Sequence, residues 1–145
     1  MLADNHCWGC GTLNPNGLYV KSERPIPGEE STSTFTPRPE HMASPTDVVN
    51  GGILGALIDC HSICTAIARK YHAEGREIGQ SEQIWCVTGT MTVKYLKPTP
   101  IDQPIEITAR VVETKGRRTT VECVITSGGV TTAEGNVVAF WVEPE

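Results

Sequence analysis

The sequence predicts an α+β fold in which a long antiparallel β-sheet wraps around one central buried helix, and three observations carry that prediction. Gly51 to Ala68 is the most apolar segment of the chain, broken only by Asp59, His61, Ser62 and Thr65, and its apolar residues go around every side of a helical wheel. Four segments rich in Val, Ile and Thr follow it, which is the composition of strands. The turns between the last three are short, so those strands must be antiparallel neighbours. A chain of 145 residues is long enough for one compact domain and leaves little room for a second, so residues 1–145 are expected to form a single unit.

In chain order, Gly9 to Gly17 is turn-rich and Leu18 to Glu23 alternates like a short strand. Arg24 to Glu30 carries Pro25, Pro27 and Gly28 and is expected to turn, with Ser31 to Thr36 as the returning strand. Pro37 to Asp47 holds three prolines and His41, a loop that leads into the helix. Asn50 is a favoured N-cap residue and Gly75 a natural stop. Strands are then expected over Ile84 to Leu96, Ile105 to Thr114, Arg118 to Thr126 and Val130 to Val142. Lys97-Pro98-Thr99-Pro100, Lys115-Gly116-Arg117 and Ser127-Gly128-Gly129 separate them.

Composition excludes several classes. With 39% hydrophobic and 20% charged residues the chain is too apolar to be disordered. The longest uninterrupted apolar run, Ile53 to Ile58, falls far short of the ~20 residues of a membrane span, so no membrane association is expected. Met1 to Cys10 lacks a basic, apolar leader, which points to the cytoplasm and to reduced thiols. A net charge of −5 offers no general footprint for nucleic acid. Charge is uneven, however: Lys94, Lys97, Arg110, Lys115, Arg117 and Arg118 against Asp102, Glu106 and Glu113 leave a local excess of +3, suited to a small polyphosphate or simply to a solvated strand surface.

The segment from Asn50 through Gly51-Gly52 to Asp59 concentrates the chemistry. Two glycines at a helix start allow close approach, and the free N–H groups there form a small positive pole able to polarise a carbonyl; plain capping is the alternative. Asp59 lies in an apolar stretch, where an uncompensated carboxylate costs several kcal/mol in order of magnitude; the alternative is an aspartate bonded to backbone or threonine hydroxyls, or turned to solvent at a helix edge. Asn50 and Asp59 are nine residues apart, roughly half a turn of rotation and about 13 Å of travel, so one reacting atom cannot easily meet both within one chain. Joint action requires two chains sharing a site. Thr88, Thr90 and Thr92 alternate along one strand and are expected to put hydroxyls on one face. Trp85, Tyr95, Phe140 and Trp141 read as packing residues.

Cys7-Trp8-Gly9-Cys10 invites a metal reading, but zinc needs a second pair that the linear spacing does not supply. His6 and one of Cys60, Cys64 or Cys123 are conceivable further ligands without any enforcing pattern, so no metal site is expected. Cys60 and Cys64 share a helix face as small core residues, and His61 beside them is badly placed to activate either. No histidine pair has HxxxH or HExxH spacing.

Taken together, these residues resemble the hotdog-fold thioesterases of the phenylacetate-degradation (PaaI-like) type. The resemblance runs through Cys7-Trp8-Gly9-Cys10-Gly11 with Asn14-Pro15-Asn16-Gly17-Leu18, Val48-Val49-Asn50-Gly51-Gly52 to Asp59, and Val93-Lys94-Tyr95-Leu96-Lys97-Pro98. It implies a hotdog fold and hydrolysis of acyl-CoA thioesters without metal or redox cofactor, in a homodimer or dimer of dimers. By the same resemblance Gly51 lends its N–H to the thioester oxygen, Asp59 activates water or attacks the carbonyl, and Thr88 assists. Asn50, Gly52, Ser44 and Lys94 are the expected substrate contacts. Asn50 stands where such families usually carry histidine, and Ser44 where relatives often place asparagine. The alternative those departures raise is a non-catalytic module that binds acyl-CoA or an acyl carrier.

Overall fold

The computed structural model describes residues 4–143. Its elements are β1 (Glu23–Ile26), β2 (Glu30–Phe35), a 3-10 turn (Pro39–His41), α1 (Gly51–Ala73), β3 (Trp85–Tyr95), β4 (Ile105–Lys115), β5 (Arg118–Ser127) and β6 (Val130–Val142). The strands form one six-stranded antiparallel sheet in the order β1-β2-β4-β5-β6-β3, so β1 and β3 are its edges.

Both ends of α1 obey local chemistry. Asn50 caps the start by accepting the Gly52 N–H at 2.7 Å. At the other end Gly75 takes a left-handed φ of +66°, which lets its N–H reach the His72 carbonyl and the Arg76 N–H the Tyr71 carbonyl. Between them, Leu57 and Ile58 are fully buried against the inward residues Ile107, Val121, Ile125 and Val137, each side chain contributing about 2 kcal/mol or more of burial. The helix sits unusually close to β6 because position 135 is glycine: a Cβ there would stand 2.5 Å from Ile58. α1 has the length and apolarity of a membrane span, but that surface is spent on the concave side of the sheet. This is the hotdog arrangement expected from the sequence.

Two expectations near the N-terminus fail. Leu18 to Glu23 does alternate, with Leu18, Val20 and Ser22 buried. Up to Ser22, however, its backbone bonds to a loop, Leu18 N–H to the Trp8 carbonyl and Val20 N–H to that of Gly9, and stays outside the sheet. The strand starts only at Glu23 and includes Pro25, tolerated because β1 is an edge; the turn shrinks to residues 27–29. Trp85, Tyr95 and Phe140 are exposed rather than packed. Trp141 instead carries the Lys70 ammonium over its ring at 4.4 Å.

Candidate active site

β3 runs antiparallel along one side of α1, and three contacts record the register. The Thr88 hydroxyl donates to Asp59 Oδ1 at 2.5 Å, Met91 approaches Gly55, and the Tyr95 hydroxyl donates to the Gly51 carbonyl at 2.7 Å. Gly51, Gly55 and Asp59 therefore line the side of α1 that faces the edge strand. Asp59 is half-buried rather than enclosed, and its second carboxylate oxygen makes no hydrogen bond among the described residues. That oxygen is free to take a proton or to attack.

Gly51 and Gly52 differ in what they offer. The Asn50 side chain occupies the Gly52 N–H, whereas the Gly51 N–H has no partner among the described residues. A single donor at the positive end of a helix is thus available to an oxygen anion. Eight residues separate it from Asp59, about 12 Å along the axis, too far for one carbonyl to touch both in one chain.

The expected threonine face does not exist. The β3–β6 register skips between Thr88 and Thr90, so Gly89 is a bulge residue, and the inward set changes from Cys86 and Thr88 to Met91, Val93 and Tyr95. Thr90 and Thr92 turn to the outer face. Lys94 goes with them: it pairs in register with the outward Glu134 and lines a hollow of about 360 Å³ with Thr92, Glu122 and Asn136, across the sheet from Asp59. It is not beside the expected chemistry. Ser44 is exposed in the loop closed by the Met42–Val49 bridge and contacts none of these residues among the bonds described.

His61 is a satisfied core histidine. Its Nε2–H donates to the Ser31 carbonyl at 2.9 Å, so Nδ1 accepts from the Ser22 hydroxyl at 2.7 Å, and burial lowers its pKa below the usual value. It cannot serve Cys60 or Cys64. Beside the helix start lies a hollow of about 480 Å³ lined by Trp8, Tyr19, Arg38, His41 and Ile53. Neither that hollow nor the Tyr95 contact could be read from the sequence, because both depend on where the N-terminal loop and β3 lie against α1.

Comparison with known proteins places this geometry in a family. The model of the thioesterase superfamily matches residues 46–134, a stretch holding the helix start, Asp59 and Thr88. A search of curated proteins finds no match. Among solved structures, a thioesterase superfamily protein from Shewanella loihica is 27% identical with a TM-score of 0.68, over 96% of each chain. The PaaI protein of the Escherichia coli phenylacetic acid degradation operon superposes with a TM-score of 0.71 at 15% identity, over 87% of this chain and 81% of that one. A Streptococcus mutans protein bound to acetyl-CoA superposes at 0.70 with 16% identity, over 87% of this chain and 90% of its own. By the extent of the family match and by its hotdog fold, the chain belongs to the thioesterase superfamily.

Proposed function

We propose that this protein hydrolyses acyl-CoA thioesters at sites shared between two copies of the chain. The observation that carries the reading is the Asp59 carboxylate, held through one oxygen by Thr88 with the other left open. A water beside that oxygen would give up a proton to it as its own oxygen attacks the thioester carbonyl. The tetrahedral oxyanion would be met by the Gly51 N–H, and collapse would expel the CoA thiolate and leave the free acid. Acetyl-CoA in the structure of the Streptococcus mutans protein supports the ligand class.

Distance and the open edge support sharing. Among the described strands β3 pairs only with β6, and it exposes Trp85, Val87, Met91 and Tyr95, an apolar edge that invites pairing with a second copy. A twofold axis near Gly55 and Met91, midway between Gly51 and Asp59, would set the Gly51 N–H of one chain opposite the partner's Asp59. The expected location is the cytoplasm, where CoA esters are used.

Asn50 favours a second reading, because its side chain takes one of the two glycine N–H groups from the helix start. On that reading the chain binds acyl-CoA or an acyl carrier without cleaving it. Following thiol release from a panel of acyl-CoAs separates the two. Turnover that disappears in a folded Asp59→Asn variant supports the hydrolase; saturable binding without thiol release supports the binding module and overturns it.

A further inference from the structure

The loop bearing Cys7 and Cys10 folds onto α1 at Cys60. Gly11 N–H donates to the Cys7 carbonyl at 2.8 Å, and Cys7 N–H to Asn5 Oδ1 at 2.8 Å, closing a tight Cys-x-x-Cys-Gly turn. Gly9, between the two cysteines, is buried directly against the helix; a Cβ there would stand 2.1 Å from Cys60 Sγ, so only glycine lets the loop come this near. The result is a cluster of sulfurs. Those of Cys7, Cys10 and Cys60 all lie within 4.8 Å of one another, with Cys7 and Cys60 3.5 Å apart. Cys64 lies one helical turn beyond Cys60, on the same face of α1, and is buried.

Tetrahedral zinc bound by cysteine has Zn–S bonds of ~2.3 Å, which puts its sulfurs roughly 3.8 Å apart, the spacing this cluster approaches. A disulfide needs one pair at about 2.05 Å and gives no reason for the other sulfurs to converge. We propose that Cys7, Cys10, Cys60 and Cys64 bind one zinc ion that clamps the N-terminal loop to α1. The second ligand pair, absent from the linear spacing, is supplied by the fold as a Cys-x-x-x-Cys pair on one helix face.

Cys86 and Cys123 stand apart, their pKa values raised by burial to about 11 and about 12, and serve as controls.

The test is metal content of the full chain loaded with zinc under reducing conditions and then desalted. About one zinc per chain is expected, kept in Cys86→Ala and lost in Cys10→Ala and Cys64→Ala. Because a cluster variant can also lose its fold, the wild-type chain is read in parallel. Replacing zinc with cobalt should produce the sulfur-to-metal charge-transfer and ligand-field absorption of a tetrahedral thiolate site, and stripping the metal should expose thiols to a colorimetric reagent. A wild-type chain that retains no metal, one that holds iron with inorganic sulfide, one bearing a Cys7–Cys60 disulfide after the same treatment, or zinc retained in Cys10→Ala overturns the proposal. Every readout is independent of thioester hydrolysis.

Discussion

Gly51→Pro removes one hydrogen-bond donor and almost nothing else. Gly51 is the first residue of α1, the position where proline is tolerated because its missing N–H belongs to a group without a helical partner. Asn50 before it has φ −57° and ψ 134°, the extended backbone that a following proline requires. The new Cβ would lie 3.5 Å from the Tyr95 ring, an ordinary contact. Folding stability should therefore hold or rise by up to about 1 kcal/mol, as proline restricts the unfolded chain. Catalysis should suffer far more: deleting one oxyanion donor costs roughly 100- to 1,000-fold in kcat, about 2.7–4 kcal/mol. The assay is thiol release at saturating acyl-CoA, beside a thermal melt of the same preparation. A folded Gly51→Pro protein with undiminished kcat would remove the helix start from the chemistry.

Thr88→Val deletes the donor to Asp59 from an exposed edge strand, so melting temperature should barely move while kcat falls roughly 10- to 100-fold, the worth of a hydrogen bond to a charge. Thr88→Ser should keep most activity, and equal rates in the valine and serine variants would contradict the contact. Stability should also depend on pH through His61, with His41 adding to it. Burial lowers both folded pKa values below the unfolded ~6.5, so the unfolded chain takes up protons first as the pH falls. The contribution is complete above about pH 6.5 and is lost below it, at up to about 1.4 kcal/mol per pH unit for each histidine. Urea midpoints unchanged between pH 7.5 and 5 would refute neutral, buried imidazoles.

Much of the fold was legible because period and punctuation agreed. β4, β5 and β6 match their expected spans to within a residue, since alternation of Ile, Val and Thr against polar neighbours stops at glycine-bearing turns. α1 begins at Gly51 as the Asn50 cap implied and ends just before Gly75. Leu18 to Glu23 misled because alternation reports one buried side, whereas a strand also needs a neighbour to bond, and there the neighbour is the loop at Trp8 and Gly9. The chemistry divides in the same manner. Asp59 and the glycine pair were visible as local oddities, a carboxylate among aliphatics and glycines at a cap. The Gly89 bulge, which separates Thr88 from Thr90 and sends Lys94 to the outer face, is marked in β3 by nothing more than a glycine inside the strand pattern, and its register depends on the partner strand β6. The meeting of Cys7 and Cys10 with Cys60 depends likewise on a loop docking across some fifty positions of chain.

Complementation between two disabled chains tests the shared site most directly. Asp59→Asn and Gly51→Pro, each inactive alone, are unfolded, mixed in equal amounts and refolded together. If each site takes its carboxylate from one chain and its N–H from the other, half of the dimers are mixed and each carries one intact site, so about a quarter of wild-type activity returns. A mixture no more active than its parents would mean that Asp59 and Gly51 never serve the same thioester across two chains.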